Sequence, residues 1–105
     1  MNEDHAMPNL EHLDVTHDDD AQTFSLSVAG QLAHLDYHRR PGLLSLDHTY
    51  VPPPIEGQGV AAKLTQFALD YARRQNLRVV PNCSYVAAFI AKHDEYQDLV
   101  AQTPR

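Results

Sequence analysis

Two glycines spaced one residue apart, Gly57 and Gly59, stand where a strand-like pattern gives way to a helix-like pattern. Glycine lets the backbone approach a ligand closely, and the first amides of a helix have no partner within the helix. Such amides, together with the helix dipole, favour an anion such as a phosphate group. The spacing also fits a turn that only redirects the chain after the prolines at 52–54. It is neither a Walker-type loop nor a dinucleotide fingerprint, because no Gly-Lys-Ser/Thr follows and the third glycine is missing.

His48 and Cys83 have side chains suited to proton transfer or nucleophilic attack. An imidazole can act as a general base near neutral pH, and His48 precedes the glycine turn. Its alternation with Leu44 and Leu46 predicts instead that it shares their buried face and packs there. Cys83 could be a nucleophile, an acid or a small buried hydrophobic side chain. Both residues are therefore candidates for catalysis, each with a packing alternative.

Residues 17–20, which read His-Asp-Asp-Asp, have the composition of a turn. A metal site is the competing interpretation of this run, and a solvated acidic turn is the interpretation that we favour. His93 and Asp94 are expected to cap or pair at a helix end. No metal ion is expected in this protein.

Composition and charge limit the class of protein. The chain has 105 residues, the usual size of one domain, and a formal net charge of −6. Residues 1–22 hold seven acidic residues and no Lys or Arg, and the rest is nearly neutral. No basic surface for nucleic acid or an anionic membrane is therefore expected.

No run approaches the ~20 apolar residues of a membrane span, and we expect no secretory signal. Cys83 is the only cysteine, which excludes an internal disulfide and predicts a reducing, cytoplasmic location. Oligomeric state is not predicted.

Period-2 alternation of apolar residues predicts four strands in the first half of the chain. Residues 17–20 and 39–42 are predicted turns, and a hairpin turns at Gly30. Residues 1–9 show no period and are predicted to form a flexible arm, with 10–105 as a single domain. The predicted strands are 10–16, 24–28, 32–37 and 43–51.

After the prolines the apolar period changes to that of a helix, which is predicted over 59–75. The helix is expected to end at Asn76, because Asn tolerates the left-handed conformation that terminates helices. A short β-branched strand follows at 77–80. A second helix capped by Ser84 and a final helical turn at 96–100 complete the chain.

The strand 43–51, the helix 59–75 and the strand 77–80 make a βαβ unit. Such units almost always cross over right-handed, which makes the two strands parallel neighbours. The first four strands are joined by tight turns and are expected to be antiparallel. The predicted fold class is α+β, with a mixed sheet and the element order ββββ-α-β-α.

Three segments carry a resemblance to a known family. Residues 48–52 read His-Thr-Tyr-Val-Pro, residues 57–61 read Gly-Gln-Gly-Val-Ala, and residues 79–86 read Val-Val-Pro-Asn-Cys-Ser-Tyr-Val. In this order and spacing, residues 46–100 resemble the GNAT superfamily of N-acetyltransferases. They are most similar to its short, single-domain GNAT-like family, whose members carry little beyond the acetyl-coenzyme-A-binding half. The Pro-x-Cys segment is specific to this small family, whereas the glycine turn alone is common.

The resemblance implies acetyl-coenzyme A as co-substrate and a place for each of its parts. The pantetheine arm lies between the fourth and fifth strands, which splay apart in the superfamily, and Val51 offers main-chain groups to the arm or to the thioester carbonyl. Glu56 departs from the superfamily, which often has Arg or Gln there. Tyr50 stands where the family often has Glu, so no general base carries over to that position. The residues that the resemblance assigns to the pyrophosphate are Glu56, Gly57, Gln58, Gly59, Val60 and Ala61.

The resemblance also implies a reaction, in which an amine of a protein or peptide lysine, or a small amine, attacks the acetyl thioester. The reaction needs a base for the ammonium, donors for the oxyanion and an acid for the departing thiolate. The base candidate is His48, and Cys83, which belongs to the family pattern, is a nucleophile or an acid. Tyr85 lies near the position of a phenol that protonates the thiolate in many members, with a core aromatic as its alternative.

Two other functions stay open. The Tyr50 departure and the small acceptor-binding surface favour a coenzyme-A-binding module without transferase activity, which would act as a sensor or a partner-bound subunit. A binder of nucleotide phosphates is the second. Acetyl transfer through a ternary complex is the leading prediction.

Overall fold

The computed structural model describes residues 14–101, in which five strands form one sheet. In both chain order and sheet order these are β1 (Thr16–Asp18), β2 (Thr23–Val28), β3 (Gln31–Arg40), β4 (Leu43–Tyr50) and β5 (Arg78–Pro81). The helices are α1 (Val60–Arg74) and α2 (Ser84–Lys92), with 3₁₀ turns at Pro53–Ile55 and Asp94–Leu99. Strands β1 to β4 pair antiparallel, whereas β4 and β5 pair parallel. The predicted α+β fold, with a mixed sheet and the order ββββ-α-β-α, is confirmed.

One face of the sheet packs against the helices and forms the core. Alternation in β2 and β3 sends their apolar side chains to this face, and α1 covers them with its apolar stripe. The buried side chains include Phe24, Leu26, Val28, Ala33, Leu35 and Tyr37 of the strands, and Val60, Leu64, Ala68, Leu69 and Ala72 of α1. The opposite face of the sheet is mostly polar. We call it the polar face, and it carries Ser25, His34, Asp36, His38, Ser45, His48 and Tyr50.

Helix α1 ends where the sequence predicts, because Asn76 adopts the left-handed conformation with φ 58°. The Asn76 amide donates to the Arg73 carbonyl at 3.2 Å, and the Leu77 amide donates to the Ala72 carbonyl at 2.9 Å. These bonds satisfy carbonyls at the helix end and turn the chain back toward the sheet. The parallel pairing of β4 with β5 confirms the predicted βαβ unit.

A β-bulge at Asp47 changes which side chains of β4 face the core. Tyr37 pairs with Leu46 and Asp36 pairs with His48, so Asp47 is the extra residue on β4. The bulge reverses the alternation beyond it, and His48 lies exposed on the polar face. The predicted packing of His48 beside the buried leucines is therefore wrong, since alternation holds only within an uninterrupted strand.

Residues 17–20 do not form a single turn. His17 belongs to β1, and its half-buried ring stacks on Phe24 with centroids 4.4 Å apart. Its Nε2 lies 2.6 Å from the hydroxyl of Tyr37. The polar composition predicted a turn, but pairing with β2 and these ring contacts hold the first two residues in a strand, and the turn spans 19–22.

Other predicted boundaries differ by a few residues. Strand β3 continues through Arg40, so the turn predicted at 39–42 is confined to its second half. Cys83 is the N-cap of α2, with no side-chain hydrogen bond at the cap, so the predicted capping by Ser84 is wrong. The predicted arm and the start of the predicted first strand, at 1–13, lie outside the described residues.

Candidate functional site

Strands β4 and β5 separate after four paired residues. The pairing ends where Leu46 lies opposite Pro81, and the Cys83 amide donates to the Leu46 carbonyl at 2.9 Å. Proline has no amide hydrogen with which to extend the ladder. The chain then enters α2 while β4 continues to Tyr50. A gap therefore opens between the end of β4 and the start of α2, where the resemblance places the pantetheine arm.

Two adjoining cavities of about 240 and 350 Å³ lie at this gap. Both are lined by Val51, Glu56, Ala61 and Tyr85. The first extends over the start of α1, and the second extends along the end of β4. We call the two together the cleft, and its further lining residues are Gly57, Gly59, Val60, Ala62, Thr49, Tyr50 and Pro53.

The glycine turn brings helix amides without helical partners to the cleft. Gly57 and Gly59 have φ values of 79° and 82°, in the left-handed region that favours glycine. Gly59 is the N-cap of α1, and no side chain caps the helix. The first bond of the helix joins the Lys63 amide to the Gly59 carbonyl at 3.0 Å, so the amides of residues 60–62 precede it. A Cβ at Gly57 would meet no atom within 4 Å, so the turn is open to a ligand. This geometry fits an anion such as pyrophosphate.

Two side chains of the turn differ in their surroundings. Glu56 is exposed at the rim of the cleft, which keeps its carboxylate in water. Gln58 is half-buried, and its Oε1 atom is buried without a hydrogen-bond partner among the described residues. Buried polar atoms are normally paired, so a ligand carrying a donor group would satisfy this one.

Cys83 lies at the apex of the gap. Its Sγ is 3.3 Å from the Oγ1 of Thr49, and its half-buried side chain packs against the core. Thr49, rather than the thiol, lines the cleft. The thiol therefore contacts a residue that lines the cleft and does not line the cleft itself.

Tyr85 lies directly on the cleft, in the first turn of α2, and is 39% exposed. It faces the same cavity as Ala61 and Ala62 at the start of α1. Burial of part of the ring raises the pKa of Tyr85 above its usual value. The group is therefore a phenol near neutral pH, able to donate a proton and unsuited to accept one. The alternative of a fully buried core aromatic does not hold.

The three predicted catalytic residues do not form one constellation. Tyr85 lines the cleft, Cys83 lies behind Thr49, and His48 lies on the polar face. The His48 ring is 6.2 Å from the ring of His34, measured between centroids. His48 thus belongs to a second group of polar side chains beside the cleft.

His34 and Asp36 belong to this group, and the sequence analysis did not single them out. His34 Nδ1 lies 3.0 Å from Asp36 Oδ1, and the Thr23 hydroxyl donates to the same oxygen at 2.9 Å. The ring of His34 is 5.7 Å from the ring of Tyr50, which lines the cleft. A His-x-Asp pattern on a strand places both side chains on one face, and this was the available signal.

Asp47 anchors the bulge. It accepts hydrogen bonds from Ser45 at 2.6 Å, from Asn82 at 3.2 Å and from His38. Burial acts to raise the pKa of Asp47, but the bonds from Ser45, His38 and Asn82 outweigh it and hold the pKa below its usual range. Asn82 also donates to Ser45 at 2.8 Å. This network ties the bulge in β4 to the residue that follows β5, at the point where the two strands separate.

Neither residues 17–20 nor residues 93 and 94 have the arrangement of a metal site. Within residues 14–101, no three His, Cys, Asp or Glu side chains are arranged to hold a metal ion. Asp18 accepts a hydrogen bond from the Ala21 amide at 3.1 Å, as a turn residue does. His93 Nδ1 lies 2.7 Å from the Phe89 carbonyl and its ring stacks on Phe89, which closes the end of α2 as predicted. No helix in the described range is long and apolar enough to cross a membrane.

A larger cavity, of about 410 Å³, lies near the end of α1, away from the glycine turn. Its two arginines have structural partners. Arg73 donates to the Asp98 carboxylate and to the Glu95 carbonyl, and Arg78 donates to the Asp98 carbonyl. These bonds tie the final 3₁₀ turn to α1 and β5, so we assign this cavity a structural origin.

The described geometry agrees with comparisons to known proteins. Residues 23–99 match the family described as GCN5-related N-acetyl-transferase. Protein NATD1 from Bos taurus is 33% identical over 51 residues, which are 49% of this chain and 45% of NATD1, so the match spans less than half of that relative. A GCN5-like protein from Staphylococcus aureus, provisionally assigned as an N-acetyltransferase, has a solution structure with a TM-score of 0.68 and 27% identity. That match covers 89% of this chain and 92% of the other. This chain belongs to the GCN5-related N-acetyltransferase family.

Proposed function

We propose that this protein transfers an acetyl group from acetyl-coenzyme A to the primary amine of a protein or peptide lysine or of a small molecule. The observation that carries the proposal is the continuity of the cleft. The uncapped start of α1 and the gap beside β4 open into adjoining cavities that share four lining residues. An anion site next to a narrow, mostly apolar gap suits a pyrophosphate joined to a pantetheine arm.

The chain's own groups define how the co-substrate would be held. The amides of residues 60–62 and of the glycine turn receive the pyrophosphate, with the dipole of α1 behind them. Val51, the residue after β4, lines both parts of the cleft, and its main-chain groups would offer hydrogen bonds to the arm or to the thioester carbonyl. Glu56 stays in solvent. When bound, acetyl-coenzyme A supplies the activated acetyl group.

The phenol of Tyr85 is the proton donor of the proposed reaction. It lines both parts of the cleft, and burial raises its pKa, so it is protonated near neutral pH and can donate to the sulfur of the leaving group as the carbon–sulfur bond breaks. Cys83 is a packing residue in this proposal, because its thiol contacts Thr49 and does not line the cleft. His48 lies on the polar face, where its ring is next to that of His34, and it is not among the residues that line the cleft.

Calorimetry and product analysis test the proposal together. The protein is titrated with acetyl-coenzyme A and with coenzyme A, with ATP as competitor, and then incubated with acetyl-coenzyme A and a mixture of amines and lysine peptides. We expect binding that ATP does not displace, and a product with the mass of one added acetyl group. No binding of either coenzyme form at millimolar concentration would overturn the proposal.

A binding module without transferase activity is the second candidate. It is favoured by the exposed phenol of Tyr50, which stands on the cleft where many family members carry a carboxylate. Binding of acetyl-coenzyme A with no acetylated product from any amine would select this function, and turnover of any acceptor would remove it.

A further inference from the structure

We propose that His34, held by Asp36, is the general base that deprotonates the acceptor amine. This inference rests on the proposed acetyl transfer and assigns the base to His34 in place of His48, the base candidate predicted from the sequence. It starts from the hydrogen bond between His34 Nδ1 and Asp36 Oδ1, at 3.0 Å, on the polar face of β3. The carboxylate is fixed from a second side by the Thr23 hydroxyl at 2.9 Å.

The hydrogen bond determines which nitrogen of His34 is free. A carboxylate only accepts hydrogen bonds, so the neutral imidazole donates from Nδ1 and leaves Nε2 as an acceptor. The same hydrogen bond holds the ring in one orientation and can remain when Nε2 takes a proton, because Nδ1 is a donor in both forms. The His34 side chain is 32% exposed, so Nε2 is accessible to an acceptor from solvent. This is the arrangement of a base with an orienting partner.

His34 lies on the polar face next to a residue that lines the cleft. His34 lies opposite Tyr50 in the β3–β4 pairing, their rings are 5.7 Å apart, and Tyr50 lines the cleft. The bulge at Asp47 is responsible, because it turns Tyr50 toward the polar face. An amine bound beside Tyr50 would therefore lie close to the ring of His34.

Within residues 14–101, the groups that face His34 come from its own strand and from the two strands paired with it. Strand β4 presents His48 and Tyr50 to it, and β2 presents Ser25, which is uncharged and pairs with it. Asp36 is the carboxylate in hydrogen-bond contact with the ring. The second His–Asp pair of this face, His38 with Asp47, lies at the bulge, and its carboxylate is already shared with Ser45 and Asn82.

All protons and electron pairs in the proposed step are accounted for. The acceptor ammonium gives one proton to His34 Nε2, and the freed lone pair forms the bond from nitrogen to the thioester carbonyl carbon. The carbon–sulfur bond then breaks, with its electron pair remaining on sulfur. The second proton on nitrogen passes to that sulfur, through the Tyr85 phenol or water, and His34 releases its proton to solvent. One acetyl amide, one thiol and one solvent proton result.

The test compares three variants of the full chain, with the acceptor that gives most product in the amine and peptide mixture. His34→Gln should lower kcat/KM by about 10²-fold, the usual contribution of a general base, and leave coenzyme binding by calorimetry unchanged. Asp36→Asn should lower kcat and leave KM for acetyl-coenzyme A unchanged, because the imidazole loses the partner that fixes its tautomer and orientation. Leu32→Gln is the control, at a position on the same strand and the same face that is 55% exposed, and it should keep the rate of the unchanged protein.

Each result decides the inference. Full turnover by a folded His34→Gln variant, or an equal loss in Leu32→Gln, overturns it and leaves the transferase proposal standing. An unchanged protein that binds the coenzyme and acetylates no amine overturns both. Restoration of His34→Gly activity by added imidazole would support the base role over a structural one.

Discussion

At the scale of single residues, the surroundings of Cys83 favour direct attack of the amine over an acetylated cysteine. Its Sγ atom lies 3.3 Å from the Thr49 hydroxyl, and the side chain is half-buried against the core. A nucleophile must reach the reacting carbon, and Thr49 stands between this thiol and the cleft.

We therefore predict that Cys83→Ala keeps most of its turnover and loses about 1 kcal/mol of stability through lost packing. Intact mass after incubation with acetyl-coenzyme A alone should show no acetyl adduct on the unchanged protein. An adduct that disappears in Cys83→Ser would show instead that the thiol carries the acetyl group.

At the scale of elements, the glycine turn is the part of the structure that binding should depend on most. Gly57 is left-handed, with φ 79°, and open space surrounds the position of a Cβ. Gly42, in the turn between β3 and β4, has φ 73° and the same open surroundings, but it lies outside the cleft. The two glycines share a left-handed conformation, and only Gly57 of the two lines the cleft.

We predict that Gly57→Ala and Gly42→Ala each lose about 1 kcal/mol of stability, because alanine is strained in the left-handed region. Only Gly57→Ala should also weaken acetyl-coenzyme A binding, by about tenfold, equivalent to one weakened hydrogen bond. Urea unfolding and calorimetry measure the two effects separately. Equal affinities for the two variants would remove the turn from the binding site.

The bulge in β4 is the second element on which the site depends. Asp47 holds it through hydrogen bonds from Ser45, His38 and Asn82, and its pKa is lowered as a result. A carboxyl whose folded pKa lies below its unfolded value stabilises the fold above the unfolded pKa. That contribution is lost as the pH falls through the folded pKa.

We predict that Asp47→Asn loses about 1–2 kcal/mol of unfolding free energy at pH 7, as expected for hydrogen bonds to a charged group. The difference from the unchanged protein should shrink as the pH falls below about 4, the ordinary pKa of aspartate. Urea unfolding at several pH values measures it. Asp20→Asn, at an exposed turn position, is the control and should change little; a pH-independent loss in Asp47→Asn would contradict the role given to its charge.

At the scale of the whole molecule, the cleft is built from three elements of one core. It is lined by the end of β4, the start of α1 and the first turn of α2, and all three contribute buried residues to the same apolar cluster. A ligand that bridges them binds the folded chain and not the unfolded one. Binding should therefore raise the stability of the whole domain.

We predict that acetyl-coenzyme A at a hundred times its Kd stabilises the fold by about 2.7 kcal/mol and raises Tm by about 10 °C or more. Gly57→Ala should show a smaller rise at the same concentration, whereas Gly42→Ala should show the full one. Thermal unfolding followed by circular dichroism measures these shifts. An equal rise with ATP would point to a general phosphate site in place of a coenzyme site.

We propose that the open polar face determines which amines the protein can acetylate. The face beside the cleft carries exposed or half-buried polar side chains, and its carboxylates Asp36 and Asp47 suit a cationic amine. An acceptor can therefore approach across the sheet, which agrees with either a lysine side chain in a peptide or a small amine.

The sequence by itself determined the features that depend on short-range pattern. Alternation predicted the β2–β3 hairpin, helical spacing predicted α1, and Asn76 marked the end of that helix. The βαβ order predicted the parallel pairing of β4 and β5, and Gly57 and Gly59 marked the turn that precedes α1. Each of these features depends on the conformational preferences of a few residues that are neighbours in the sequence. Those preferences do not depend on the rest of the fold.

Only the tertiary structure decided which side chains share the site. The bulge at Asp47 depends on the register with β3 and on Asn82, far away in the chain. One extra residue in a strand moves every later side chain to the opposite face of the sheet. His48 therefore lies on the polar face and not on the core face that its alternation predicted. The pairing of β3 with β4 then sets His34 opposite Tyr50. Local pattern cannot supply such contacts, because they join residues whose distance is fixed only when the sheet is complete.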